Sequence, residues 1–121
     1  MDNLISDILP SILKRCTKLQ LLKVSENNLS GALDIDFLVS MKVIFAYSNK
    51  FFGIMPKSLT ICAQLQLLDL SKNGLAGDLP QYIAFFNDLR VLRLGYNRFF
   101  GVISQWITNL THFSSVGFIQ Q

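Results

Sequence analysis

Residues 65–80 of this 121-residue chain read LQLLDLSKNGLAGDLP. Apolar residues stand at positions 65, 68 and 70, followed by an asparagine at 73, a leucine at 75, a glycine at 77 and a closing Leu-Pro pair. Neither a helix nor a single strand gives this mixed spacing. The stretch therefore predicts a short strand, a sharp turn and a returning segment.

The pattern of residues 65–80 recurs along the chain. A shift of 24 residues carries Asn73 to Asn97 and Gly77 to Gly101. Two earlier copies place their asparagines at positions 27 and 49, a step of only 22 residues. Self-similarity with a period of roughly 20–29 residues is typical of leucine-rich repeats.

The repeats predict a single domain over residues 1–121. Complete copies occupy about 16–37, 38–61, 62–85 and 86–109, and partial copies lie at 1–15 and 110–121. Because each unit of a repeat protein contacts only its neighbours, we expect a narrow, linear core.

Composition and charge disfavour several classes of protein. Half of the residues are hydrophobic and 16% are charged, which argues against disorder. The net charge of +3 is modest, and lysine and arginine are scattered among the acidic residues, so we expect no nucleic-acid partner. The chain has no apolar run of about 18 residues, and its N-terminus lacks the basic and apolar regions of a signal peptide. We expect no membrane span in this chain.

No constellation of catalytic residues is present in the sequence. His112, the single histidine, has no placed nucleophile or carboxylate, and no phosphate loop, zinc spacing or nucleophile elbow occurs. Asp34 and Asp36 are better explained as a solvated turn than as a cation site. Cys16 and Cys62 lie two repeats apart, roughly 10 Å across the strands, too far for a disulfide. We expect no enzyme activity, metal or cofactor.

An asparagine recurs where each predicted strand ends. Its side-chain amide can bond the backbone groups that lose their partners as the chain leaves the sheet. We expect this structural role for an asparagine ladder formed by Asn27, Asn49, Asn73 and Asn97. The glycines four residues further on would permit the turn after the strand.

The strand positions that point away from the core differ in chemistry from copy to copy, whereas the inward positions stay apolar. Variable side chains on adjacent strands of a parallel sheet can form one recognition surface. For any one of them alone, an ordinary solvated face is the competing interpretation. The expected ligand-binding residues on this concave face are Lys23, Phe45, Tyr47, Asp69, Lys72, Arg93 and Tyr96.

Residues 62–80, with the pattern Cys-x-x-Leu-x-x-Leu-x-Leu-x-x-Asn-x-Leu-x-Gly-x-Leu-Pro, resemble the plant-specific leucine-rich repeat. Residues 16–33 resemble it almost as well, and the resemblance covers nearly the whole chain. It implies an α/β leucine-rich repeat solenoid, a right-handed horseshoe segment. The parallel sheet would line the concave face, and short helical turns and loops would lie on the convex side.

The same repeats are typical of the extracellular parts of plant receptor-like kinases and receptor-like proteins. The resemblance therefore implies a module that binds a peptide or protein ligand, or a co-receptor, in signalling or defence at the plasma membrane. Because the chain begins and ends inside repeats, we expect a fragment of such a receptor. A secreted inhibitor of pathogen cell-wall enzymes and a truncated product without independent function are the alternatives. Asn28 and Asn109 stand in Asn-x-Ser/Thr sequons and are candidate glycosylation sites.

Overall fold

The chain forms short strands that recur with the period of the sequence repeats. The computed structural model describes residues 17–33, 39–78, 82–83, 86–100 and 115–117. Its strands are β1 (Leu21–Lys23), β2 (Ser30–Ala32), β3 (Val43–Phe45), β4 (Lys50–Gly53), β5 (Leu67–Asp69), β6 (Gly74–Asp78), β7 (Val91–Arg93), β8 (Arg98–Phe100) and β9 (Ser115–Gly117).

The odd-numbered strands form one parallel sheet in the order β1-β3-β5-β7-β9. Each repeat contributes one strand, and equivalent residues stand side by side, as Leu22 pairs with Ile44 and Leu68 pairs with Leu92. This register follows from the repeat, because each copy must bury its inward leucine against the next copy. The prediction of a leucine-rich repeat solenoid with a parallel sheet is confirmed.

A second parallel sheet, which the sequence analysis did not predict, has the order β2-β4-β6-β8. Its strands contain or adjoin the glycine of each repeat. Gly31, Gly53 and Gly77 have φ of 86°, 85° and 85°, a left-handed backbone that side chains disfavour. The predicted turn after the asparagine is therefore also a strand, and its ladder partners come from neighbouring repeats.

The core is a row of apolar side chains that repeats along the solenoid axis. Leu68, Leu70 and Leu75 from one repeat are fully buried. The equivalent buried residues of the other copies are Leu22, Val24, Leu29, Ile44, Ala46, Phe51, Leu92, Leu94 and Phe99. Burying one such side chain contributes roughly 1.5–3 kcal/mol, so consecutive repeats are held together chiefly by this row.

The outer segments of consecutive repeats also contact each other. After Pro56, residues Lys57–Ile61 form a 3-10 helix whose Leu59 is buried. In the next repeat, the Tyr82 hydroxyl donates a hydrogen bond of 2.7 Å to the Pro56 carbonyl oxygen. The Tyr82 ring meets Phe86 edge-on, with centroids 6.4 Å apart. Burial raises the pKa of Tyr82, which keeps its hydroxyl protonated as a donor.

Candidate recognition surface on the concave sheet

Three asparagines of the predicted ladder, Asn49, Asn73 and Asn97, connect the end of one concave strand to the preceding repeat. The fourth, Asn27, donates from its side-chain amide to the Ser25 carbonyl oxygen of its own repeat at 2.8 Å. The Asn49 side-chain oxygen accepts hydrogen bonds from the backbone N–H groups of Asn27 (3.0 Å) and Leu29 (2.9 Å). Its amide donates to the carbonyl oxygens of Val24 (2.9 Å) and Ala46 (3.2 Å). Without Asn49 these backbone groups would lose a partner where the strand ends, although the Ala46 carbonyl oxygen would keep its bond of 3.1 Å from the Asn73 amide.

Asn73 and Asn97 make the equivalent bonds one and two repeats later. The Asn97 oxygen accepts from the Leu75 N–H at 3.0 Å, and its amide donates to the Leu70 carbonyl at 2.9 Å. The Asn73 oxygen accepts from the Phe51 N–H at 3.2 Å. Each asparagine therefore holds one concave strand in place against its neighbour.

The third residue after each of the concave strands β1, β3, β5 and β7 has a left-handed backbone. Glu26, Ser48, Lys72 and Tyr96 have φ between 57° and 60°. Three of these residues donate a backbone N–H hydrogen bond to a carbonyl oxygen of the next repeat. The pairs are Glu26 to Tyr47, Ser48 to Ser71 and Lys72 to Gly95. Non-glycine residues rarely adopt this conformation, so the contacts between repeats must hold it.

The concave sheet carries a shallow depression of about 540 Å³. Its lining residues are Lys23, Ser25, Phe45, Tyr47, Asp69, Ser71, Lys72 and Arg93. The structure thus brings together six of the seven residues singled out from the sequence as a ligand-binding surface. The seventh, Tyr96, lies beside the depression, and its ring centroid is 6.0 Å from the Lys72 ammonium group.

Asp69 is more enclosed than its outward position in the sequence suggests. Only 4% of the residue is exposed. Its Oδ1 accepts hydrogen bonds from the Ser71 hydroxyl at 2.6 Å and from the Ser71 N–H at 3.1 Å. Its other oxygen lies 3.7 Å from a guanidinium nitrogen of Arg93, whose side chain is half-exposed. Asp69 therefore positions Ser71 and Arg93 and offers little surface of its own.

The accessible charge in the depression is positive. Lys23, Lys72 and Arg93 are exposed, whereas the single acidic side chain of the lining, Asp69, is buried and partly neutralised by Arg93. Phe45 and Tyr47, both partly exposed, supply aromatic surface between these cations. The depression can therefore hold an anionic group beside an apolar or aromatic one.

The sequence analysis missed a second row of equivalent side chains that crosses the concave sheet. Leu21, Val43, Leu67 and Val91 stand directly side by side on adjacent strands. Leu21 is 47% exposed, and the other three are partly exposed. We call these four residues the apolar ladder. The signal was available, since the position before the central strand residue is aliphatic in every complete copy.

The remaining predicted sites fall into described and undescribed parts of the chain. Asn28, in the first sequon, is exposed between β1 and β2. Cys62 is buried, which raises the pKa of its thiol to about 11 and makes it unreactive at neutral pH. Asn109, His112, Cys16, Asp34 and Asp36 lie outside the described residues.

Within the described ranges, no three histidine, cysteine or acidic side chains come together as metal ligands. The helices found in the same ranges are all too short or too polar to cross a membrane.

Comparison with known proteins identifies the repeat. Residues 64–86 and 88–110 match the family model of the Leucine Rich Repeat. Among curated proteins, none matches this sequence.

Solved structures resemble the chain over nearly its full length. The plant peptide hormone receptor RGFR1 in complex with RGF2 is 34% identical over 98% of this chain, with a TM-score of 0.83. The PEPR1–AtPEP1 structure is 35% identical over 96% of it, with a TM-score of 0.85. The Arabidopsis receptor kinase HAESA, solved with the peptide hormone IDA and the co-receptor SERK1, is 28% identical over 93% of it, with a TM-score of 0.82.

This chain spans only 20%, 17% and 19% of the length of those three chains. The fold and the two matched repeats together identify a leucine-rich repeat solenoid.

Proposed function

We propose that this leucine-rich repeat solenoid is a segment of the extracellular domain of a plant cell-surface receptor, and that its concave face binds a peptide or protein. The module acts by recognition rather than catalysis. The observation that carries the proposal is the depression on β1, β3, β5 and β7, which gathers side chains of differing chemistry from four consecutive repeats. The structural likeness to receptors solved with peptide hormones supports it.

A rigid concave face suits this role physically. The asparagine ladder and the paired strands fix the backbone, so binding orders mainly the side chains and costs little conformational entropy. Aromatic residues and arginine, the residue types that dominate binding energy in protein interfaces, are present as Phe45, Tyr47 and Arg93.

Selection of a random linear peptide library against the 121-residue chain tests the binding role. We expect enriched peptides whose binding is lost, by at least about tenfold, when Phe45, Tyr47 and Arg93 are all replaced by alanine. The matched control replaces Phe52, Ile54 and Arg98, which are exposed and lie off the concave strands. Binding unchanged in the first variant, with both variants folded by circular dichroism, would refute the concave site.

The reading frame of the full-length transcript tests the receptor role. An open frame that continues through a signal peptide, further repeats and a membrane helix is the expected result. A frame with a signal peptide and cysteine-rich caps but no membrane helix would favour a secreted inhibitor. A frame that encodes neither a signal peptide nor a membrane helix would contradict the receptor role for this product.

A further inference from the structure

We propose that the segment recognised by the concave face is an acidic peptide with aliphatic side chains, lying across β1, β3, β5 and β7. This inference rests on the proposed function, because it assigns a chemical class to the ligand of the same surface. Two features of the sheet point to it: the apolar ladder on one side and the cationic depression beside it.

The apolar ladder is a continuous strip and not a set of scattered side chains. Its four residues are direct neighbours in the register of the sheet. Strands about 4.8 Å apart give the strip a length of roughly 14 Å, enough for four or five residues of an extended chain. Single exposed aliphatic side chains are ordinary on a protein surface, whereas a contiguous strip offers an apolar partner one continuous contact.

The second feature is the charge beside this strip. Residues two positions further along the same strands, Lys23, Phe45, Asp69 and Arg93, form the neighbouring column on the same face. Lys23 and Arg93 leave this column positive, since the Asp69 carboxylate is already bonded to Ser71 and lies close to Arg93. Lys72 adds a third exposed cation to the same depression.

The other flank of the apolar ladder does not share this charge. A depression of about 410 Å³ there is lined by Gln66, Asp88 and Arg90 together with Val43, Leu67 and Val91. It carries one charge of each sign. Of these two depressions, the one lined by Lys23, Lys72 and Arg93 therefore carries the excess of cations, which gives the surface an apolar edge and a positive edge.

A peptide matches both edges, because carboxylate side chains and aliphatic side chains can occur on one extended backbone. A nucleic acid would use the cations but would leave the apolar ladder without a partner, since leucine and valine offer no flat face for base stacking. Acidic side chains would also increase the rate at which the peptide associates with the positive edge, and added salt would reduce this increase.

Three fluorescein-labelled peptides of one length test the charge of the ligand. They share one pattern of leucine and valine, and their polar positions are all glutamate, all glutamine or all lysine. Fluorescence anisotropy with the full 121-residue chain should give the glutamate peptide the tightest binding, weakening severalfold from low to physiological ionic strength. Equal or tighter binding of the glutamine or lysine peptide would overturn the proposal.

Matched variants then locate the site. Replacing Lys23 and Lys72 by glutamine should weaken the glutamate peptide by roughly tenfold, since each exposed ion pair contributes modestly. Replacing Lys50 and Lys57, which are also exposed but lie off the concave strands, removes the same charge and should leave binding within about twofold. Equal loss in both variants would mean a nonspecific charge effect and would overturn the proposal.

A third variant tests the apolar edge. Val43→Thr with Val91→Thr keeps a β-branched side chain of high strand propensity at two partly exposed positions and replaces a methyl group by a hydroxyl, which removes apolar surface. We expect severalfold weaker binding of the glutamate peptide, with its salt dependence unchanged. Undiminished binding would show that the ladder is not part of the site.

The library selection under Proposed function separates the two proposals. Enriched peptides that need Phe45, Tyr47 and Arg93 but carry no excess of acidic residues would overturn the acidic ligand and leave the binding role standing. A selection without any peptide that depends on the concave face would overturn both.

Discussion

Asn49 shows what one side chain does at the residue scale. Its oxygen bonds two backbone N–H groups of the preceding repeat, and its amide bonds carbonyl oxygens on both repeats. Alanine would leave buried donors and acceptors unsatisfied, so we expect Asn49→Ala to lower the free energy of unfolding by about 2–4 kcal/mol. Urea denaturation measures this. Asn87→Ala, at an exposed position, is the control and should change stability by less than about 0.5 kcal/mol.

Lys72 gives a second prediction at the residue scale, because its φ is 57°. Glycine adopts this backbone without strain, whereas alanine does not. We expect Lys72→Gly to be more stable than Lys72→Ala by about 1 kcal/mol in urea unfolding. At Lys23, inside strand β1, we expect the glycine variant to be less stable than the alanine variant, since glycine weakens a strand. The same order at both positions would contradict the role assigned to the left-handed backbone.

At the scale of the element, the second sheet depends on its glycines. Gly53 and Gly77 share a φ of 85°, but only at Gly77 would a Cβ meet a neighbour, the Ile54 Cγ2 at 3.0 Å. Alanine should cost about 1–2 kcal/mol at either position from the backbone alone. We expect Gly77→Ala to cost on the order of 0.5–1 kcal/mol more, since the Ile54 side chain must shift from its position to relieve this contact.

An Ile54→Ala background is the control for this comparison. It removes the side chain that a Cβ at Gly77 would meet, so the two alanine substitutions should then cost the same. Thermal unfolding of the single and double variants measures the difference. A difference that persists without Ile54 would show that this contact is not its cause.

At the scale of the whole molecule, we expect a destabilising core substitution to affect mainly its own repeat and the adjacent repeats. Strand β5 is bonded only to β3 and β7 in its sheet, and Leu68 at its centre is fully buried. Leu68→Ala should cost about 2–5 kcal/mol through the cavity it leaves. In a quasi-one-dimensional array, hydrogen exchange should accelerate most in β3, β5 and β7 and less in β1.

Leu21→Ala is the control for this experiment, because Leu21 is half-exposed in β1 and leaves no enclosed cavity. It should not change exchange in β5. Uniform acceleration throughout the described strands after Leu68→Ala would instead mean that the repeats unfold as one cooperative unit.

Much of the candidate site could be predicted from the sequence, because the register of a repeat sheet follows from its period. Aligning the copies on Asn49, Asn73 and Asn97 places three residues side by side on adjacent strands. These residues are Phe45, Asp69 and Arg93. The accessibility of each side chain could not be predicted in this way. Asp69 has the same position in its copy as the exposed Arg93, yet it is buried by bonds to its own repeat and to the next.

The sequence by itself determined the repeat, the parallel concave sheet, the inward leucines and the columns that face outward. These follow from spacing alone, since each copy must bury the same positions against the next. Only the tertiary structure decided the second sheet, the left-handed residues typified by Lys72, and the distribution of charge on the concave face. Each of these depends on hydrogen bonds and ion pairs between different copies, whose geometry is set when the repeats stack.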